Sequence, residues 1–163
     1  MNKLVVVGVG LIGGSFALAL KQAKAVGTVV GVGRSEANLR RARELGVIDA
    51  AGAFDAATLA DANLVMIATP VGEMSAVFRA LAPHLGRSTV VTDGGSTKQD
   101  VIAAARRELG AALPRFVPGH PVAGTEKSGA GAAFADLYRG RKVILTPLAE
   151  TQKGAVDLVR AAW

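Results

Sequence analysis

The apolar run Lys3 to Val7 passes directly into Gly8-Val9-Gly10-Leu11-Ile12-Gly13, and an amphipathic stretch opens at once behind it. A bare G-x-G-x-x-G is common by chance. Placed between a strand and a helix, it constrains the fold sharply. Gly8 permits a tight turn, Gly10 lets a pyrophosphate approach the backbone, and Gly13 lets helix and strand pack closely. The helix start then offers N–H groups and partial positive charge to an anion. Leu11 to Lys24 carries helical spacing at Ile12, Phe16, Leu20 and Ala23, as this reading requires.

The rest of the chain repeats the alternation. Thr28 to Val32, Leu64 to Ala68 and Thr89 to Thr92 are apolar or β-branched runs without period-2 alternation, the pattern of parallel strands covered on both faces. Between them the spacing predicts helices over Glu36 to Leu45 (N-capped by Ser35 and stopped at Gly46), Gly72 to Leu85 and Thr97 to Leu109. Arg115 to Val117 and Lys142 to Thr146 read as two further strands, and residues 50–58 hold room for one more. The expected fold is therefore α/β: a doubly wound, mostly parallel, Rossmann-type sheet with helices on both faces. Residues 1–163 form one dinucleotide-binding domain.

Composition narrows the function. Half the residues are hydrophobic, yet no apolar run nears the ~20 residues that span a bilayer, so no membrane segment is expected. The start, MNKLVVVGVG, is too glycine-rich for a signal peptide. There is no cysteine, which excludes disulfides and thiolate metal sites and fits a reducing cytoplasm; no metal site is expected. The net charge is +6, with one Trp, one Tyr and five Phe. Arginines solvating helix faces explain that charge, and so few aromatics argue against a nucleic-acid surface. A small anionic ligand suits it as well.

In such sheets ligands sit beyond the carboxyl ends of the strands. Thr69 and Pro70, after the third strong strand, therefore join Gly8, Gly10, Leu11, Ile12 and Gly13 as candidate cofactor contacts. At the end of the second strand an acidic residue would bond the ribose 2′-OH of NAD, but the sequence has Gly33-Arg34-Ser35 there. An arginine and a hydroxyl suit a 2′-phosphate, so NADP is favoured over NAD. Alternatively, Arg34 points into solvent and Glu36 or another group takes the ribose.

Two later segments carry polar groups to the same edge. In Asp93-Gly94-Gly95-Ser96-Thr97-Lys98-Gln99-Asp100, Ser96 with Gln99 or Thr97 with Asp100 matches a capping box. Ser96 would also face the nicotinamide end of the cofactor. GHPVAGTEKSG, Gly119 to Gly129, has neither helical nor strand periodicity and reads as a polar loop holding His120. An imidazole there is a candidate base for hydride-transfer chemistry, with Pro121 stiffening the backbone. His84, near a helix end, needs no role beyond the helix dipole.

VVGVGLIGGS, ATPV, DGGSTK and above all GHPVAGTEKSG resemble the prephenate and arogenate dehydrogenases of tyrosine biosynthesis, and the resemblance spans the whole chain. It implies oxidative decarboxylation of a cyclohexadienol with hydride transfer to NAD(P). His120 would accept the hydroxyl proton, Ser96 would bond the same hydroxyl, and Thr125 and Glu126 would line the substrate pocket. It also implies a homodimer built through a C-terminal helical domain absent from this chain. Val156, Val159 and Trp163 form a helical stripe at the end of the sequence, expected to pack on something outside it. Two other readings share the glycine loop: a β-hydroxyacid-type dehydrogenase, which uses a lysine from a later domain, and a non-catalytic NADP-binding module, which needs no base at His120.

Overall fold

Strands that are apolar along their whole length need cover on both sides, and the computed structural model, which describes residues 1–163, provides it. The chain runs β1 (Lys3–Val7), α1 (Leu11–Gln22), β2 (Thr28–Val32), α2 (Glu36–Glu44), β3 (Ala50–Gly52), α3 (Ala56–Leu59) and β4 (Leu64–Ile67). It continues through α4 (Met74–Leu81), β5 (Val90–Asp93), α5 (Lys98–Glu108), β6 (Phe116–Val117), β7 (Gly119–Pro121), β8 (Val143–Leu145) and α6 (Lys153–Ala162). Six strands form one sheet in the order β3-β2-β1-β4-β5-β6, and every pairing in it is parallel. The chain winds outward from β1 to β3 and then returns to lay β4 on the other side of β1. This reversal opens a crevice at the carboxyl edge between β1 and β4.

Alternate residues of each strand feed opposite cores. Val5, Val7, Val65 and Ile67 face Met74, Phe78 and Leu81 of α4 and Val101 and Ala105 of α5. Leu4, Val6, Leu64 and Met66 belong to the other core, with Phe16 and Leu20 of α1, Leu39 of α2 and Val159 of α6. Phe78 meets Phe116 edge-on at 5.2 Å, and Phe16, Phe78 and Phe116 are all at or below 1 % exposure. Side chains of this size contribute about 1.5–3 kcal/mol each when fully buried.

Register then sets the functional edge. Val7 lies opposite both Val32 and Ile67, so the glycine turn, the Gly33–Ser35 turn and the Ala68–Pro70 turn leave the sheet at one level. Ser35 caps α2 as expected, its Oγ accepting from the Asn38 N–H at 3.2 Å. Gly46 and Gly110, at φ +70° and +50°, follow the ends of α2 and α5.

Four local expectations are corrected. The helix expected over 72–85 is α-helical only from Met74 to Leu81, with 3₁₀ turns at Val71–Glu73 and Ala82–His84, because Pro83 lacks the N–H needed to continue it. Neither capping box forms: Thr97 is the N-cap of α5 and its side chain accepts no hydrogen bond. Gly119–Pro121 is a strand rather than loop, paired antiparallel with β8 outside the main sheet; three residues are too few to show a period. Finally, the stripe on α6 packs on this chain itself. Val159 is fully buried, and Trp163 lies 4.5 Å from Phe16 and 4.9 Å edge-on from Tyr138.

Candidate functional site

Where the three turns converge they enclose a cleft of about 770 Å³, lined among others by Gly8, Gly10, Arg34, Ser35, Thr69 and Pro70. The glycine loop shapes its floor. Gly8 sits at φ +91° and donates its N–H to the Val32 carbonyl at 2.9 Å, tying the loop to the end of β2. A Cβ on Gly13 would stand 2.4 Å from the Gly8 carbonyl oxygen and 2.7 Å from Val6 Cγ1, so only glycine lets α1 start this close to β1. Around Gly10 there is open space to 4 Å, room for a ligand to reach the main chain. Leu11 is buried and Ile12 partly so. Neither side chain lines the cleft; both offer amides from the first turn of α1, where N–H groups lack intrahelical partners.

Two further features suit a dinucleotide. Thr69 Oγ1 is buried and has no hydrogen-bond partner within the chain, an orphan hydroxyl on the wall of the cleft. Arg34 is the one cation among the lining residues, 84 % exposed at its side chain and 2.8 Å from Glu73 Oε1. The donors, the space and the single positive charge fit a nicotinamide dinucleotide, with the pyrophosphate against Gly10 and the start of α1.

The other candidate residues are not among those lining this cleft. Ser96, Thr125 and Glu126 are exposed, and His120 is half-buried on β7, opposite Ile144 of β8. What anchors His120 went unnoticed in the sequence. Asp93, the last residue of β5, is completely buried. Its Oδ1 accepts the Gly119 N–H at 3.1 Å, and its Oδ2 accepts the Gly95 N–H at 2.8 Å. The Lys98 ammonium donates to the same Oδ2 and to the Gly119 carbonyl at 2.5 Å. One ion pair thus grips both main-chain polar groups of Gly119, the residue before His120, and closes the Gly95–Thr97 turn that carries Ser96. Burial pushes the Asp93 carboxyl up from its ordinary value, and burial likewise pushes the Lys98 ammonium down.

Asn38 was missed as well. Its Nδ2 donates to the Val9 carbonyl at 2.7 Å, and its Oδ1 accepts from the Ala130 N–H at 2.9 Å. It thereby joins the glycine loop to the end of the segment that follows His120. Its place one turn after the Ser35 cap gives no hint of this, because both partners are distant in sequence.

No helix is long and apolar enough to cross a membrane. The sequence profile of the family described as "Prephenate dehydrogenase, nucleotide-binding domain" matches residues 16–163. The chain is 38 % identical over 161 residues to the prephenate dehydrogenase of Bacillus subtilis strain 168, covering 98 % of this chain and 43 % of that protein. It superposes with a TM-score of 0.90 and 37 % identity on prephenate dehydrogenase from A. aeolicus in complex with hydroxyphenyl propionate and NAD+, covering 100 % of this chain and 56 % of that one. Synechocystis arogenate dehydrogenase follows at a TM-score of 0.87 and 31 % identity, with 98 % and 55 % covered. The chain therefore spans about half the length of these relatives.

Proposed function

Because this chain belongs to the prephenate dehydrogenase family through that family's nucleotide-binding domain, we propose that it forms the cofactor-binding part of an enzyme that oxidatively decarboxylates prephenate or arogenate. When bound, the nicotinamide dinucleotide supplies the acceptor for the hydride leaving the hydroxyl-bearing ring carbon. The chain's own residues do the rest of the work at this end of the substrate. His120 accepts the hydroxyl proton as the hydride departs, so no positive charge builds on the oxygen that becomes a carbonyl. Ser96 bonds the same hydroxyl and helps orient the imidazole. Thr125 and Glu126 line the substrate side. Loss of carbon dioxide with aromatisation of the ring makes the step effectively irreversible.

The observation that carries this reading is the grip of Asp93 and Lys98 on Gly119. It holds the backbone before His120 at the carboxyl end of β5, the edge where ligands of such sheets sit.

For the cofactor we read NADP as favoured over NAD. Support comes from Gly33, which puts no carboxylate at the end of β2 for a ribose 2′-OH, and from Arg34 and Ser35 beside it on the cleft wall.

The test is kcat in the complete enzyme. His120→Asn should lower it by about 10²–10⁴-fold, the usual worth of a general base, while dinucleotide affinity barely moves. Ser96→Ala should cost less, because it removes an orienting bond and leaves the base. Near-normal turnover in His120→Asn would remove His120 from the mechanism.

A further inference from the structure

Arg34 is the single cation lining the dinucleotide cleft, and Glu73 is the single acid. They come from different turns, Arg34 after β2 and Glu73 from the 3₁₀ turn before α4, yet their charged ends meet at 2.8 Å. Glu73 is the better held of the two, with a side chain 34 % exposed against 84 % for Arg34. Pro70 opens its turn, and the Glu73 N–H donates to the Pro70 carbonyl at 2.9 Å.

The chemistry of the pair bears on the nucleotide. A guanidinium is a planar fork that binds one anionic oxygen group well, whether carboxylate or phosphate. A 2′-phosphate arriving beside Arg34 finds one nitrogen of that fork, Nη2, already 2.8 Å from a carboxylate oxygen. A ribose with a free 2′-hydroxyl brings no anion and has no contest with Glu73. The carboxylate therefore weighs against one dinucleotide and leaves the other nearly untouched.

We propose that Glu73 is a specificity-determining residue, competing with the 2′-phosphate of NADP for Arg34 and so holding down the preference for NADP over NAD. The inference rests on the assignment of this cleft to the dinucleotide. An exposed ion pair is worth up to about fivefold in a binding constant, and a carboxylate near a phosphate dianion adds repulsion.

Titration calorimetry of this chain with NADP and with NAD reads the effect directly, without turnover. Glu73→Gln, which keeps the shape of the side chain, should tighten NADP about fivefold or more and shift NAD by less than about twofold. Arg34→Ala should weaken NADP about tenfold or more and leave NAD nearly unchanged. In the Arg34→Ala background the gain from Glu73→Gln should shrink to what the repulsion alone gives, well below the gain with Arg34 present, since the pair no longer exists to be broken. Equal shifts for both dinucleotides, or a full gain without Arg34, would overturn the inference, as would a chain that binds neither. Tighter NAD than NADP in the unmutated chain would instead refute the cofactor preference given above, and the ratio measured in Glu73→Gln would still decide the role of Glu73.

Discussion

Replacing Lys98 by Met tests the ion pair beneath His120. Methionine keeps most of the length and the apolar stem, and it removes the charge and both donated bonds. Two deficits follow from the structure. Asp93, at 0 % exposure, keeps the N–H groups of Gly95 and Gly119 but loses its only counter-charge. The Gly119 carbonyl loses the ammonium 2.5 Å away. With the Lys98 side chain only 16 % exposed, water cannot readily stand in for it. Stripping one partner from a buried pair costs about 3–5 kcal/mol, whereas a solvent-exposed pair is worth at most about 1 kcal/mol. Against a total stability of about 5–15 kcal/mol the loss is large. In urea at pH 7 it should lower the unfolding midpoint by about 2 M for a slope near 2 kcal/mol/M. Adding Asp93→Asn should recover part of it, because the orphaned charge is gone although one of the two N–H groups loses its acceptor. The pH dependence gives an independent check. Without Lys98, the Asp93 carboxyl, already raised by burial, climbs further above its unfolded value near 3.8. A carboxyl raised on folding binds its proton more tightly in the folded state, so the variant's deficit should narrow as pH falls from 7 toward 5. A deficit below about 1 kcal/mol that stays flat with pH would show that this pair behaves like a surface contact, and the anchoring argument would fail.

Gly13→Ala forces a methyl group to 2.4 Å from the Gly8 carbonyl oxygen; the chain should lose about 1–3 kcal/mol to overpacking and most of its dinucleotide affinity, read by thermal unfolding and calorimetry, and normal binding would separate the loop from the cofactor. Glu108 is held by Arg79 through two bonds of 2.9 and 3.0 Å and by Ser75 at 2.9 Å; chiefly the Arg79 bond brings its carboxyl down from the usual 4.5 to about 2. A depressed carboxyl stabilises the fold above its unfolded pKa and loses that contribution as pH falls toward the folded one. Melting temperature between pH 4.5 and 2 should thus fall less steeply in Glu108→Gln than in the unmutated chain, and parallel curves would contradict the assignment.

What the sequence determined by itself is short-range. The glycine loop, the Ser35 cap, the stops at Gly46 and Gly110 and the alternation of apolar runs with helical spacing are written within a turn or two of chain. From these the doubly wound sheet and its carboxyl edge followed, and with them the placing of Arg34, Ser35, Thr69 and Pro70 on one cleft. The tertiary structure decided which polar residues meet. Asp93 and Lys98 carried no assigned role in the sequence, because nothing local reveals that both will meet Gly119, 26 and 21 residues away. Asn38 bonds Ala130 across 92 residues, and Glu73 reaches Arg34 only because β4 settles beside β1 after the crossover. The α6 stripe, taken for an interface, found Phe16 and Tyr138 on its own chain. Periodicity records that a face is apolar or a group is polar. Which partner covers or pairs it depends on desolvation and packing between segments distant in sequence, and these act only once the sheet has brought the segments together.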